Sequence, residues 1–381
     1  MTRPMPGPLA IALALSCGVA ALSSAACDEK KTSDTTPSLD ASAGTDKYAT
    51  ADPKLERALQ AAASASAGND NGPPPNGIFS PGVADRRHPK GGPTTVETLG
   101  DGTEPRIALN EGAPDAIRAS SYGPAALELG MQMGPRAAVP TVDLGLSIGA
   151  AKKDDGGSDW LVAELKKASP AKEQFGDLPP GTDKAIATLE GSLLRIKFAT
   201  DGGESDVQMT LGKQALAELG RLAQNAVEAL TFATVPLPSK PVGVGAQWIA
   251  ESRMPLSGLD VIAYRAFRVK SIDGNRVHLS LDVKAYATTS DTVMPEVPKG
   301  ATLQQVDAQA QGELELVRGE VLARKADIQQ RVVMVFTAPP GTQAPPTQPG
   351  QPPAPATLTG QTMSQATFVR GDDLRAALNK H

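Results

Sequence analysis

From about residue 121 the chain alternates apolar and polar positions. Leu127, Leu129, Met131 and Met133 alternate with Glu128, Gly130 and Gln132. After Pro140, Val142, Leu144, Leu146 and Ile148 alternate with Asp143, Gly145, Ser147 and Gly149. A period of two sends one set to a buried face and the other to water, so both runs are predicted as half-buried strands. Asp154-Asp155-Gly156-Gly157 reads as a turn into a third strand, Trp160 to Leu165, and Leu189 to Phe198 and Val207 to Leu211 extend the sheet. The period then lengthens to that of a helix. Over 213–230, Leu216, Leu219, Leu222, Ala223, Ala226, Val227 and Leu230 share one stripe, with Glu218, Arg221, Gln224 and Glu228 opposite. The second half of the sheet follows in Val261 to Ser271 and Val277 to Ala287, the latter alternating Val277, Leu279, Leu281 and Val283 with His278, Ser280, Asp282 and Lys284, with Asp273-Gly274-Asn275 between the two as a hairpin signal. A further pair of strands flanks Arg318-Gly319, and a last strand covers about Leu358 to Val369. The pattern predicts a mainly β (α+β) fold: an antiparallel meander sheet or partly closed barrel with one long amphipathic helix packed on it.

The preceding residues read differently. Residues 28–48 are Asp, Lys, Ser, Thr, Ala and Gly with almost nothing to bury, and 69–93 are rich in Pro, Gly and Asn around Ile78-Phe79. We read 27–116 as a flexible tether carrying a possible short helix over 53–66, where Asp52-Pro53 supplies a cap and a first helical residue. Ile78 and Phe79 could clip the tether onto the domain. As coil, the tether would reach about 50 Å. The single β-rich domain is predicted over 117–370, with helix 213–230, a Pro-rich loop over 338–356 that cannot join a ladder, and a polar tail over 371–381.

The start of the chain resembles a bacterial lipoprotein signal: Arg3, an apolar run from Leu9 to Leu22, then Ser24-Ala25-Ala26-Cys27. The run is short for a spanning helix, which needs about 20 apolar residues. The resemblance implies cleavage after residue 26, a thioether-linked diacylglycerol and an amide-linked acyl chain such as palmitate on Cys27, and an extracytoplasmic protein attached to a membrane. Ser24 stands where such signals usually carry an aliphatic residue, so a plain secretory signal followed by an unmodified Cys27 is the alternative. Cys17 fits less well, because cleavage there would cut the apolar run short. With Cys17 removed alongside the signal, Cys27 is the one cysteine remaining and no disulfide can form within the chain.

Loss of residues 1–26 removes one charge, Arg3, taking formal net charge from −5 to −6. A mildly acidic chain without a basic stripe is not a nucleic-acid binder. Aromatic residues are 3% of the chain and, apart from Tyr48 and Phe79, lie beyond residue 120, which places the core downstream.

The helix, the Pro-bounded approach after it, Pro241-Val242-Gly243-Val244-Gly245-Ala246-Gln247-Trp248 and the later Glu313-Leu-Glu-Leu-Val-Arg-Gly319 hairpin resemble a family of bacterial extracytoplasmic proteins, often lipoproteins, across roughly 121–370. The resemblance implies an architecture and a location; the family brings no activity with it.

Candidate chemistry is sparse. Gly145-Leu146-Ser147-Ile148-Gly149 matches the Gly-x-Ser-x-Gly pattern of serine hydrolases, which needs a strained strand-to-helix turn. The alternation runs straight through it, so Ser147 reads as a solvent-facing strand residue. Ser169-Pro-Ala-Lys172 has Ser-x-x-Lys spacing without the accompanying motifs. His88, His278 and His381 are isolated, and Asp154, Asp155 and Asp159 lack calcium-loop order. Gly243 and Gly245 start no dinucleotide fingerprint and instead permit a tight turn that drives Trp248 inward. We expect no catalytic, cofactor-binding or metal-binding residue, and Cys27 as the lipid attachment site. The expected function is a lipid-anchored, non-catalytic envelope protein with a structural or binding role, facing the periplasm or the cell surface and partnered by the membrane, a hydrophobic ligand or an envelope protein. The alternatives are a carrier of a hydrophobic ligand in a β half-barrel and a hydrolase using Ser147.

Overall fold

A computed structural model describes residues 74–109, 122–133, 137–151, 159–171, 178–198, 204–290, 297–339, 356–371 and 374. The signal, Cys27, helix 53–66, the turn at Asp154 and Asp155, the bulk of the Pro-rich loop and nearly all of the polar tail lie outside these residues.

Among the described residues the fold is mainly β, with twelve antiparallel strands in one unclosed sheet. In chain order they are β1 (Thr95–Gly100), β2 (Gly123–Met133), β3 (Ala137–Ala151), β4 (Asp159–Pro170), β5 (Leu193–Phe198), β6 (Glu204–Thr210), β7 (Gln247–Leu256), β8 (Leu259–Asp273), β9 (Arg276–Ala287), β10 (Thr302–Val317), β11 (Lys325–Thr337) and β12 (Thr357–Arg370). Their spatial order, β1-β7-β8-β9-β10-β11-β12-β2-β3-β4-β5-β6, contains two meanders, β7 to β12 and β2 to β6. The last strand joins them by pairing with β2, Ala366 opposite Leu129. The alternation in the sequence is the cause: in β9 Val277, Leu279, Leu281 and Val283 are buried while His278, Ser280, Asp282 and Lys284 are half-buried on the other face.

The helix departs from the expectation over 213–230. A 3-10 turn, Ala217–Leu219, leads into a helix of fourteen residues, Gly220–Ala233. Short helices at Val83–Arg87 and Thr182–Ala187 precede it, making it α3 after α1 and α2. Leu216, expected on the apolar stripe, is exposed, and Glu228, expected on the polar face, is buried. Every residue from Asn225 to Ala233 is buried, so the helix has no solvent face over its second half. Its apolar side chains belong to the same buried cluster as the inner faces of the strands.

The tether reading fails for 74–109. Ile78 and Phe79 are buried, as their isolated apolar character suggested, and β1 pairs with β7. Residues 76–79 insert where β9 and β10 part: the Val306 N–H donates to the Asn76 carbonyl, the Ala287 N–H to the Gly77 carbonyl and the Phe79 N–H to the Ala287 carbonyl, each at 2.9 Å. Only glycine fits at 77, which has φ 74° and where a Cβ would lie 1.9 Å from the Val306 carbonyl oxygen. A second, smaller apolar cluster of Phe79, Ala84, Ile249, Ile262, Tyr264, Ala266 and Tyr286 fixes this segment to the opposite face of β7, β8 and β9.

Candidate functional site

Three groups of polar side chains stand out. The first is inside. Glu228 of α3 accepts the Ser257 backbone N–H at 2.7 Å and Gln330 Nε2 at 3.2 Å, and Gln330 Nε2 also donates to Ser257 Oγ at 2.9 Å. Burial without a direct cation contact pushes the Glu228 carboxyl up to about 7, the hydrogen bonds from Gln330 and Ser257 and the field of Arg221 opposing the rise. Ser257-Gly258 is the two-residue loop of the β7–β8 hairpin, with φ 51° and 81°, as a type I′ turn requires. Farther along the same helix, fully buried Arg265 of β8 donates from Nη1 to the Thr231 and Thr234 carbonyls at 3.1 and 3.2 Å, and from Nη2 to Ser252 Oγ at 3.3 Å. A guanidinium thus meets the carbonyl end of α3, where the helix dipole favours a cation. These contacts specify structure: they hold a helix and a hairpin together.

The second group ties α1 to the sheet. Arg253 makes a bidentate pair with Asp260, 2.9 Å from Nε and 2.6 Å from Nη2, and its Nη1 donates to Asp85 at 2.7 Å and to the His88 carbonyl at 2.9 Å. The Asp260 hydrogen bond raises the Arg253 pKa, and Arg253 in turn holds Asp85 below the usual carboxylate range. Arg87 Nε lies 2.6 Å from Glu251, which also accepts the Tyr264 hydroxyl at 3.2 Å. His88 is buried 3.5 Å from the same carboxylate. Desolvation lowers its pKa, against the pull of Glu251. Burial and Glu251 push the Tyr264 hydroxyl well up, and burial brings Tyr286 to about 12.

The third is an open depression of about 650 Å³. It lies on the polar face of β8 to β12, and its wall is the Val244–Gly245 loop. That loop is fixed on both sides. The Gly245 N–H donates to the Val269 carbonyl at 2.8 Å, and Gly243 packs so tightly that a Cβ would lie 1.7 Å from the Thr103 carbonyl oxygen. The glycines act as expected on Trp248, which is fully buried, donates from Nε1 to the Pro236 carbonyl at 2.9 Å and stacks on Phe267 at 5.4 Å. The floor carries two cross-strand rows, Asp282–Gln311–Gln329–Gln365 and Arg268–Ser280–Glu313–Asp327, each following the ladder register.

Ser147 is exposed in the middle of β3, opposite Pro124 and Glu164, and the strand continues to Ala151. The strand-to-helix turn of a nucleophile elbow is absent there. His278 is on the polar face of β9, 3.5 Å from Asp273, far in sequence and strand position from buried His88. Ser169 is half-buried in β4; Lys172 and His381 lie outside the described residues. Sequence reasoning missed Glu228, Gln330 and Arg265. Arg265 did carry a signal, a cation inside the apolar run Val261 to Val269. Glu228 carried none, since the helical period put it on the wet side.

No family model matches the chain, and no curated protein matches it. A solved structure of a protein of unknown function from the DUF3598 family of Nostoc punctiforme is aligned over 68% of this chain and 99% of its own, at 10% identity and a TM-score of 0.12. A likeness that small carries no argument about fold or function.

Proposed function

We propose that the protein is a lipid-anchored envelope protein outside the cytoplasm, held to a membrane by acylated Cys27, with a non-catalytic binding role. The observation that carries the anchor is the run Leu9 to Leu22 ending in Ser24-Ala25-Ala26-Cys27. The likeness of Pro241 to Trp248 to a family of extracytoplasmic proteins agrees with it. The binding role is supported by the depression beside Val244, whose lining pairs cations with carboxylates and amides. Metabolic labelling with a clickable fatty acid tests the anchor: wild type takes label and Cys27→Ala does not. Label retained by Cys27→Ala overturns it.

A second reading, a carrier of a hydrophobic ligand in a partly closed barrel, is supported by the close approach of β6 to β7 without a ladder between them. Against it, the apolar side chains of α3 lie in one buried cluster with the inner faces of the strands. Solvent extraction of the purified protein tests this reading by mass spectrometry, and recovery of a stoichiometric lipid would favour the carrier.

A further inference from the structure

We infer that Glu228 is the moving contact of a proton-driven switch inside the sheet: as a neutral acid it donates to Asn225 Oδ1, and as a carboxylate it takes Arg221 instead. The inference is independent of the Cys27 anchor and of the depression on β8 to β12. Arg221, Gln224, Asn225 and Glu228 follow the three- and four-residue spacing that puts side chains on one face of α3. Arg221 is half-buried near the start of the helix, and Asn225 and Glu228 are buried. Two atoms on this face are buried without a hydrogen-bond partner among the described residues, and they are of opposite kind. Asn225 Oδ1 is an acceptor, and Arg221 Nε carries a donor. The Asn225 amide is oriented from its other end, where Nδ2 donates to the thioether of Met131 in β2, a group that accepts and cannot donate. Its oxygen is left for a donor from elsewhere. Glu228 itself accepts from the Ser257 N–H, from Gln330 Nε2 and from the Gln224 side chain. These three groups are donors in this arrangement and take no carboxylic proton. Asn225 Oδ1, one turn earlier on the same face, does.

The surrounding charges leave Arg221 as the partner of the ionised form, and its field on Glu228 is the strongest of any charge. Glu218 of the 3-10 turn, Glu128 of β2, Arg195 of β5 and Asp327 of β11 are exposed. The other charges on the packed strands are engaged elsewhere: Arg253 with Asp260, Glu251 with Arg87, Lys325 with Glu315, Arg331 with Asp307 and Arg370 with Glu320. Lys197 lies over the Trp160 ring, Asp206 accepts from Gln208, and Arg265 is held by the Thr231 and Thr234 carbonyls. A buried polar atom without a partner is costly, so an orphaned acceptor and an orphaned donor flanking one carboxyl mark two alternative arrangements. Burial holds the carboxyl up at about 7, which keeps the neutral arrangement below that pH. Loss of the proton removes the bond to Asn225 and leaves a buried charge that draws the Arg221 guanidinium inward. Seven residues span about 10 Å of helix, so Arg221 must swing toward the C-terminal end of α3 to arrive. Ser257 and Gln330 hold the same carboxyl, so the change reaches the β7–β8 hairpin and β11.

The test is a titration of the full-length protein in detergent, followed by infrared and NMR spectroscopy. Wild type should show the carbonyl band of a buried, protonated carboxyl that disappears with a midpoint of about 7 and is missing from Glu228→Gln. Asn225→Leu removes the acceptor and should lower that midpoint by about 1 pH unit, whereas Arg221→Gln removes the cation and should raise it by a similar amount. A merely structural role for the two residues would not move the midpoint in opposite directions. The Arg221 Cζ resonance should shift with the midpoint in wild type. It should stay fixed in Glu228→Gln, whose amide N–H stands in for the acid proton. Absence of the carboxyl band on the acid side, a midpoint that either variant leaves unchanged or moves the other way, or an Arg221 resonance that ignores the titration overturns the switch. Where Asn225→Leu does not fold, the Arg221→Gln midpoint and the Arg221 resonance decide.

Discussion

The carboxylate of Glu228 accepts the backbone N–H of Ser257 at 2.7 Å, so a buried helix residue holds a hairpin loop whose serine has φ 51°. Removing that acceptor leaves the Ser257 N–H and the Gln330 amide short of a partner. Glu228→Ala should cost about 1 to 3 kcal/mol in urea unfolding. Glu228→Gln keeps an acceptor and should cost less.

The same residue makes stability depend on pH. Its folded pKa, about 7, lies above the ordinary 4.5, so the folded state holds the proton more tightly than the unfolded chain. The stabilisation is therefore complete below pH 4.5 and fades as pH rises through 7, an effect of order 3 kcal/mol if the whole shift is realised. The Tm of wild type minus that of Glu228→Gln should fall between pH 5 and pH 8. A difference that is flat over this range contradicts the buried, proton-binding state of Glu228.

Arg265 should be the most sensitive charged position. It is fully buried and joins β8 to the last carbonyls of α3. Arg265→Ala removes the helix C-terminal partner and leaves a void, and should cost about 3 to 5 kcal/mol. Arg265→Lys, a single point donor, cannot reach Thr231, Thr234 and Ser252 together and should recover only part of the loss.

The Gly243 turn can be checked through the tryptophan it positions. Gly243→Ala places a methyl where the Thr103 carbonyl sits. The loop must shift, which should lower stability by more than about 1 kcal/mol and move the emission of buried Trp248 toward the red.

Arg253 tests the segment at 74–94. Its pair with Asp260 is bidentate and mostly shielded, whereas Asp85 is largely exposed and adds little. Arg253→Ala should cost about 1 to 2 kcal/mol and speed proteolysis between Val83 and Pro93, with the sheet core resistant.

How much of this was legible in the sequence depended on whether the signal was local. Alternation located β2, β3 and β9, whose inner positions are buried, whereas β8 showed only as an apolar run because Val261 to Phe267 are buried on both faces; Gly243 and Gly245 announced the turn before Trp248. β1 escaped notice since Thr95–Gly100 is largely exposed and lies among prolines and glycines. The pairing of β12 with β2 has no local signature at all, as it joins residues more than 200 positions apart. The helix was misplaced for a related reason. Its period was read as one wet face and one dry, but the second half of α3 is surrounded, and Glu228 is buried because Ser257 and Gln330, distant in sequence, supply its hydrogen bonds. The row of glutamines became visible only once the register of β10, β11 and β12 was known.

Attachment through Cys27 is tested by the intact mass of the protein purified from its own membranes. The expected species begins at Cys27 and is heavier than residues 27–381 by a diacylglycerol and an acyl group. A chain that begins at Cys27 without added mass, or one that retains residues 1–26, would contradict it.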